Sequence, residues 1–296
     1  MTEIFQANSV KSPLVTVAMP IYNAGKDLRL AVFSIIKQTF EDWEFIIIDD
    51  GSTDNSLQSI CDINDARIIV MCDGENKGLA ARLNEAIDLA RGQYFARMDQ
   101  DDISYPERFE RQLNALRSNA ELDLVATRAI TIDVDNNATG LYPHSFTHDE
   151  ICARPWLGFY FPHPTWLGRT EWFRKYRYAV PAPLFCEDQE LLLRSYTESR
   201  FQMLDETLLA YRVRDGVNWR KLIKTRMAVL KMQWRTFIQK RQFHFAIYSF
   251  AAFSGRVFLD LFEAVFWKNK LHHIKGDEKI LQEWVGVLCY VRREDK

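Results

Sequence analysis

Three short apolar runs, each closing on a polar or acidic cluster and separated by helical periodicities, constrain this fold more than any other feature. Pro13–Met19 (PLVTVAM) is β-branched and reads as a buried strand that ends at Pro20-Ile21-Tyr22-Asn23. Trp43–Ile48 (WEFIII) is a second strand, closing on Asp49-Asp50-Gly51-Ser52, and Asp54 is placed to cap the short helix beyond. Gln93–Met98 is another, closing on Asp99-Gln100-Asp101-Asp102, and Arg67–Cys72 (RIIVMC) is a strand between them. Leu28, Val32, Ile35 and Ile36 recur at helical spacing over residues 26–38, and Leu79, Leu83, Ile87 and Ala90 do so before Gly92. Such alternation predicts an α/β chain with a mainly parallel sheet flanked by helices. Ligands of such sheets bind beyond the carboxyl ends of the strands. The three clusters therefore converge on one crevice.

The rest of the chain divides by composition. Pro106 starts a further helix and residues 122–134 read as strand. Residues 135–165 are rich in Asn, Gly and Pro and read as loop, 187–200 as helix, and 201–213 as extended chain. From Trp219 the sequence is helical and aromatic. Residues 1–216 carry 22 basic and 33 acidic side chains and residues 217–296 carry 16 and 7, so a net charge of −2 hides −11 and +9. That asymmetry points the tail toward an anionic surface. A catalytic unit over residues 1–216 is expected, with a nucleotide half at 13–134 and an acceptor half at 135–216, followed by a basic helical extension at 217–296. The extension either packs on the catalytic unit or lies on a membrane. Its longest charge-free stretch, Gln242–Gly255, is too short to span a bilayer. The N-terminal residues lack the apolar core of a secretory signal. Five cysteines without a CxxC pair exclude a disulfide framework or zinc knuckle and read as buried free thiols in a reducing cytosol.

Asp99, Asp101 and Asp102 place three carboxylates within four residues, a repulsion that a hard divalent cation, Mg²⁺ or Mn²⁺, would relieve. Taken alone, the cluster reads equally as a solvated, capping turn. Glu187 and Asp188 open a helix, where acidic side chains are favourable in any case.

The four segments PIYN, EFIIIDDGSTDNS, NKG with AARLNEAI, and YFARMDQDD, in this order and spacing, resemble the family 2 glycosyltransferases of bacterial lipopolysaccharide and capsule type. The resemblance covers residues 13–215 and implies the GT-A fold and an inverting transfer from a nucleotide sugar, with UDP favoured. It implies donor contacts from Pro20, Tyr22, Asn23 and Asp50, support from Asp49, Arg82 near the donor, Asp99 near the ribose and metal, and Asp101 as the main metal carboxylate, with Asp102 supportive. Phe185-Cys186-Glu187-Asp188 resembles the family's ED motif, which makes Asp188 the expected general base beside Glu187. His163-Pro164-Thr165 resembles a segment lining the acceptor side, with Trp166 beside it. Tyr211-Arg212-Val213-Arg214 resembles the family's YR-x-H ending near the diphosphate. Arg214 in place of the histidine suits an anion and not a metal. The implied partners are a nucleotide sugar and a glycan or lipid-linked acceptor, at the inner face of the plasma membrane; no nucleic acid is expected. Two other readings are a sugar-1-phosphate nucleotidyltransferase, against which PIYNAGK is a poor phosphate loop, and a non-catalytic nucleotide-sugar or membrane-binding module.

Overall fold

The computed structural model describes residues 3–4, 12–183, 186–213, 219–266 and 278–293. The expected parallel strands form the centre of one sheet: β1 (Glu3–Ile4), β2 (Val15–Ile21), β3 (Trp43–Asp49), β4 (Ile68–Cys72) and β5 (Tyr94–Arg97). β4, β3, β2 and β5 run parallel side by side, and β1 pairs antiparallel with β4. Every residue of β2 and β3 is buried, which is why they read as continuous apolar runs rather than as alternation.

Their side chains still alternate between two cores. Val15, Val17, Met19, Phe45 and Ile47 face α1 (Leu28–Ile36) and a later helix. Ala18, Ile46 and Ile48 face α2 (Leu79–Leu89). This is the two-residue period of a strand buried on both faces.

Past β5 the sheet becomes mixed. It continues through β6 (Ile103–Ser104), α3 (Arg108–Ser118), β7 (Leu124–Ile132), β8 (Ala138–Leu141), α4 (His148–Cys152), β9 (Leu167–Arg169), α5 (Thr170–Tyr176), α6 (Glu187–Ser195) and β10 (Phe201–Arg212). The strand order is β1-β4-β3-β2-β5-β9-β7-β10-β6, with β8 on β7. β9 runs antiparallel to both β5 and β7, so one reversed strand lies between two halves whose flanking strands point the same way. β7 and β10 are parallel to each other. The segment expected to be loop over 135–165 contains β8 and α4; α4 starts in a capping box between Thr147 and Glu150. Asp54 does not cap a helix. Its carboxylate accepts from the Ser56 and Gly25 amides and ties two loops together. Cys61 and Cys289 are exposed, so only some of the thiols are buried.

Three helices follow, α7 (Trp219–Gln239), α8 (Phe243–Phe266) and α9 (Glu278–Arg292). α7 packs on α6 through Phe237, which is wholly buried. α9 covers the β10–β6 edge. Its Trp284 stacks on Tyr105 with centroids 6.0 Å apart and donates to the Asn136 carbonyl at 2.9 Å. Among the described residues, no helix is long and apolar enough to cross a membrane.

Candidate active site

The ends of β2, β3 and β5 open on one cavity of about 740 Å³, and the N-terminus of α6 faces it. Pro20, Tyr22, Asp50, Asp99, Asp101, His163, Glu187 and Asp188 all line it. Five carboxylates thus arrive from three separate segments, as the strand-end argument requires.

The nucleotide-side turns are clamped together. The Tyr22 amide donates to Gln100 Oε1 at 2.7 Å, and Gln100 Nε2 donates back to the Tyr22 carbonyl at 3.1 Å. Asn23 does not line the cavity. Its side-chain oxygen accepts from the Thr53 amide at 2.8 Å, and its own amide donates to Ser52 Oγ. Asp49 accepts from the Ser52 amide and closes the turn. Gly51 sits at φ +75°, and a Cβ there would meet the Glu75–Asn76 backbone at 3.0–3.2 Å, so both conformation and space require glycine.

Asp50 is held by the NKG segment. Its Oδ1 accepts from the Lys77 amide at 2.7 Å and from Arg82 Nε at 2.9 Å, and Oδ2 accepts from the Gly78 amide at 3.0 Å. Arg82, expected near the donor, instead lies behind Asp50 and is 1 % exposed. It also grips Asp73, Glu85 and the Glu75 carbonyl. These contacts hold the Asp73 carboxyl far below its ordinary range.

On the β5 side, Arg97 ion-pairs with Asp99. Arg97 is almost wholly buried and lines the cavity, yet its Nε and Nη1 have no partner among the described residues. Burial raises the Asp99 carboxyl, and the Arg97 charge opposes that rise. Asp102 points inward, where Oδ1 accepts the Arg212 amide at 2.8 Å and burial pushes its pKa well up. Arg212 and Trp166, expected near the diphosphate or acceptor, do not line the cavity. Arg212 spends its guanidinium on the carbonyls of Asp101 and Asp133 and on Asn136, anchoring the DQDD loop from behind. Trp166 is wholly buried against Phe161, to whose carbonyl its indole donates. Arg214 lies outside the described residues.

The acceptor side is a buried polar chain. His163 Nε2 lies 2.7 Å from Tyr178 Oη, and His163 Nδ1 lies 3.7 Å from Glu187 Oε1. Burial holds the imidazole well below its usual pKa, so it is neutral at pH 7. Tyr178 is fixed by two hydrogen bonds between its backbone and the Asn84 side chain. Burial and then the neighbouring Asp188 charge push Glu187 up to about 7. Asp188 is also raised by burial, against hydrogen bonds from Gln189. Gln189 in turn brackets the Phe159 backbone at 2.8 and 3.2 Å, which fixes the first turn of α6.

Sequence reading missed Arg97 and Tyr142 as lining residues. Arg97, two residues before the DxD, was the legible one: a lone cation in an otherwise apolar strand is not expected without a partner.

A titration follows from Glu187. Its folded pKa lies above its unfolded value, so its contribution to stability is full below about pH 4.5 and is lost as pH rises through 7. Glu187→Gln in metal-free protein is expected to melt with wild type at pH 5 and above it at pH 8, by an equivalent on the order of 2–3 kcal/mol. Thermal melts at the two pH values check this; parallel curves would show Glu187 ionised at no cost.

Among the described residues, no set of three His, Cys, Asp or Glu side chains is arranged to hold a metal unaided. Asp99 and Asp101 offer hard oxygens at the cavity wall. Mg²⁺ and Mn²⁺ are commonly held by one or two carboxylates plus phosphate and water, so the donor set fits a cation shared with a diphosphate.

The Glycosyl transferase family 2 model matches residues 16–177. EpsE of Bacillus subtilis is 35% identical over 211 residues, 69% of this chain and 73% of its own. Among solved structures, S. aureus TarS 1–349 in complex with UDP-GlcNAc superposes with a TM-score of 0.58 at 18% identity, over 74% of this chain and 66% of that one, under two thirds of its length. Mannosyltransferase PcManGT from Pyrobaculum calidifontis, in complex with GDP-Man and Mn²⁺, gives 0.55 at 14% identity over 95% and 86%. The structural matches establish the same overall fold, and the sequence matches carry the lineage: this chain is a glycosyltransferase of family 2, built on the GT-A fold.

Proposed function

We propose that the chain transfers a sugar, with inversion, from a nucleoside diphosphate donor to a hydroxyl of a glycan or lipid-linked acceptor in cell-surface polysaccharide synthesis. The observation that carries this is the meeting of Asp50, Asp99, Asp101 and Asp188 on one cavity. Residues 1–216 would form the catalytic unit and 217–296 an extension at the inner face of the plasma membrane.

In this reading Asp50 Oδ2, which accepts the Gly78 amide at 3.0 Å, takes the N–H of a uracil. UDP is favoured by the family resemblance and by the ligand of the TarS complex. Pro20 and Tyr22 flank the base, and Asn23, Asp49 and Arg82 hold that wall in shape. Asp101, with Asp99, would hold Mn²⁺ or Mg²⁺, which when bound neutralises charge on the departing diphosphate. Arg97, a lining residue that ion-pairs with Asp99, holds that carboxylate at the cavity wall.

Asp188 takes the proton from the acceptor hydroxyl as its oxygen forms the bond to the anomeric carbon. The bond to the diphosphate oxygen breaks on the opposite face, and its electron pair leaves with the nucleotide. Glu187, the carboxyl pushed up to about 7, keeps the proton that two neighbouring carboxylates share and leaves Asp188 ionised. His163, held by Tyr178 at 2.7 Å, stands neutral beside Glu187 at 3.7 Å. The site also holds both substrates in line, a large part of the rate.

A panel of nucleotide sugars with Mn²⁺ or Mg²⁺ tests this, read by nucleoside diphosphate release and by the anomeric coupling of the product. One α-linked donor is expected to give a β-linked product. Retained configuration, or pyrophosphate release from a nucleoside triphosphate and a sugar phosphate, would overturn it.

A further inference from the structure

The α7–α8 hairpin has one face that the rest of the described chain leaves uncovered. Its inner face is engaged: Phe237, Ala246 and Ser249 are buried, and Gln233 donates to the Pro155 carbonyl at 3.1 Å. On the outer face of α7, Ile223, Met227, Trp234 and Ile238 are exposed. Their offsets of 4, 11 and 15 residues align them in one stripe of a helix. On α8, Phe243, Ile247, Phe250 and Phe258 do the same. Trp234 and Phe250 meet with centroids 6.5 Å apart, which joins the two stripes. Ten of the 17 exposed large hydrophobic residues in the described chain lie on this hairpin. Contiguous exposed apolar surface of this kind marks an interaction site.

The charge says what covers it. Residues 216–259 contain nine Lys or Arg and no Asp or Glu. The next acid, Asp260, is taken up by Arg226 at 2.7 Å. Exposed Lys224, Lys231 and Arg235 border the α7 stripe on one side. An apolar stripe flanked by cations on a helix too polar to insert is the pattern of a helix lying in a membrane interface. A second copy of the chain fits poorly, since a two-fold contact sets the same patch against itself and would bring cation against cation.

We infer that the outer face of the α7–α8 hairpin docks in the plane of an anionic phospholipid surface, with its aromatic stripe in the headgroup region. This rests on the membrane reading above and names the face that makes it. The same hairpin packs on the segment that precedes the acceptor side of the cavity. Trp156 packs on Phe245 and Tyr248 at 5.0 and 5.1 Å, and Arg256 donates to the Leu157 carbonyl at 2.8 Å. That segment runs directly to Phe159, which Gln189 holds beside Asp188. Docking would therefore orient the acceptor side with respect to the bilayer, as a lipid-linked acceptor needs.

The test is flotation of the full chain with vesicles of phosphatidylcholine alone and of an equimolar mixture with phosphatidylglycerol. Wild type is expected to float with the anionic vesicles only, and less in high salt. Replacing Lys224, Lys231 and Arg235 together with Gln is expected to weaken binding on the order of 100-fold, and Trp234→Ser with Phe250→Ser to abolish flotation. Both variants should bind and hydrolyse the donor in vesicle-free solution as wild type does. Equal flotation of wild type and variants, or none by wild type, would overturn the inference. So would a wild-type dimer in light scattering that the Trp234/Phe250 variant dissolves, which would assign the face to a second copy. None of these results touches the transfer reaction, which the donor assay reads separately.

Discussion

Asp188→Asn is expected to lower kcat by about 10²–10⁴ while leaving nucleotide affinity close to that of wild type. The side chain keeps its shape and its place beside Gln189, so binding geometry should survive, and what is lost is the ability to accept a proton. The neighbouring carboxyl is a poor substitute. Glu187 is directed at His163, with Oε1 3.7 Å from Nδ1, and lacks the Gln189 hydrogen bond that orients Asp188. Single-turnover rates with saturating donor separate the two quantities. A variant that transfers at the wild-type rate would remove Asp188 from the role of base, and one that loses nucleotide binding as well would make it part of the donor site.

Arg82→Met is expected to cost about 3 kcal/mol of stability and roughly 5 °C or more in melting temperature. Arg82 is buried and serves Asp50, Asp73 and Glu85 at once. Methionine fills similar space but leaves the buried Asp50 carboxylate with amide donors alone. Exposed pairs such as Arg29–Asp62, whose acid is 63% exposed, contribute little by comparison. Because Asp50 lines the cavity, donor affinity should fall together with stability. Calorimetric melts and a nucleotide titration check both; an unchanged melting temperature would mean that the network is solvated and dispensable.

The parts of this architecture legible in the sequence are those that local pattern determines. Buried parallel strands read as apolar runs, and the rule that ligands sit beyond strand ends brings PIYN, DDGS and DQDD to one place from the sequence alone. What was not legible depends on contacts between distant residues. Arg82 reads as a donor contact until Asp50 and Asp73 are seen to fold against it. Trp166 reads as lining the acceptor side because an aromatic residue beside a histidine fits a site or a core equally well, and only the burial of its indole against Phe161 decides. Arg212 reads as an anion contact until the DQDD loop turns its back to it. The single reversed strand between the two halves, β9, is three residues long, Leu167–Arg169, too short for any periodicity to show. The halves of α7 and α8 that face outward are likewise invisible until Phe237 and Ala246 are seen to face inward.

The central claim is that one cavity holds a nucleoside diphosphate through a cation at Asp101 and performs the proton transfer at Asp188. Calorimetric titration of UDP into wild type, Asp101→Asn and Asp188→Asn, each with Mn²⁺ and with chelator, tests it most directly. Wild type and Asp188→Asn should bind in a Mn²⁺-dependent manner, and Asp101→Asn should lose at least about tenfold in affinity. UDP bound equally well without metal and by Asp101→Asn would contradict the claim.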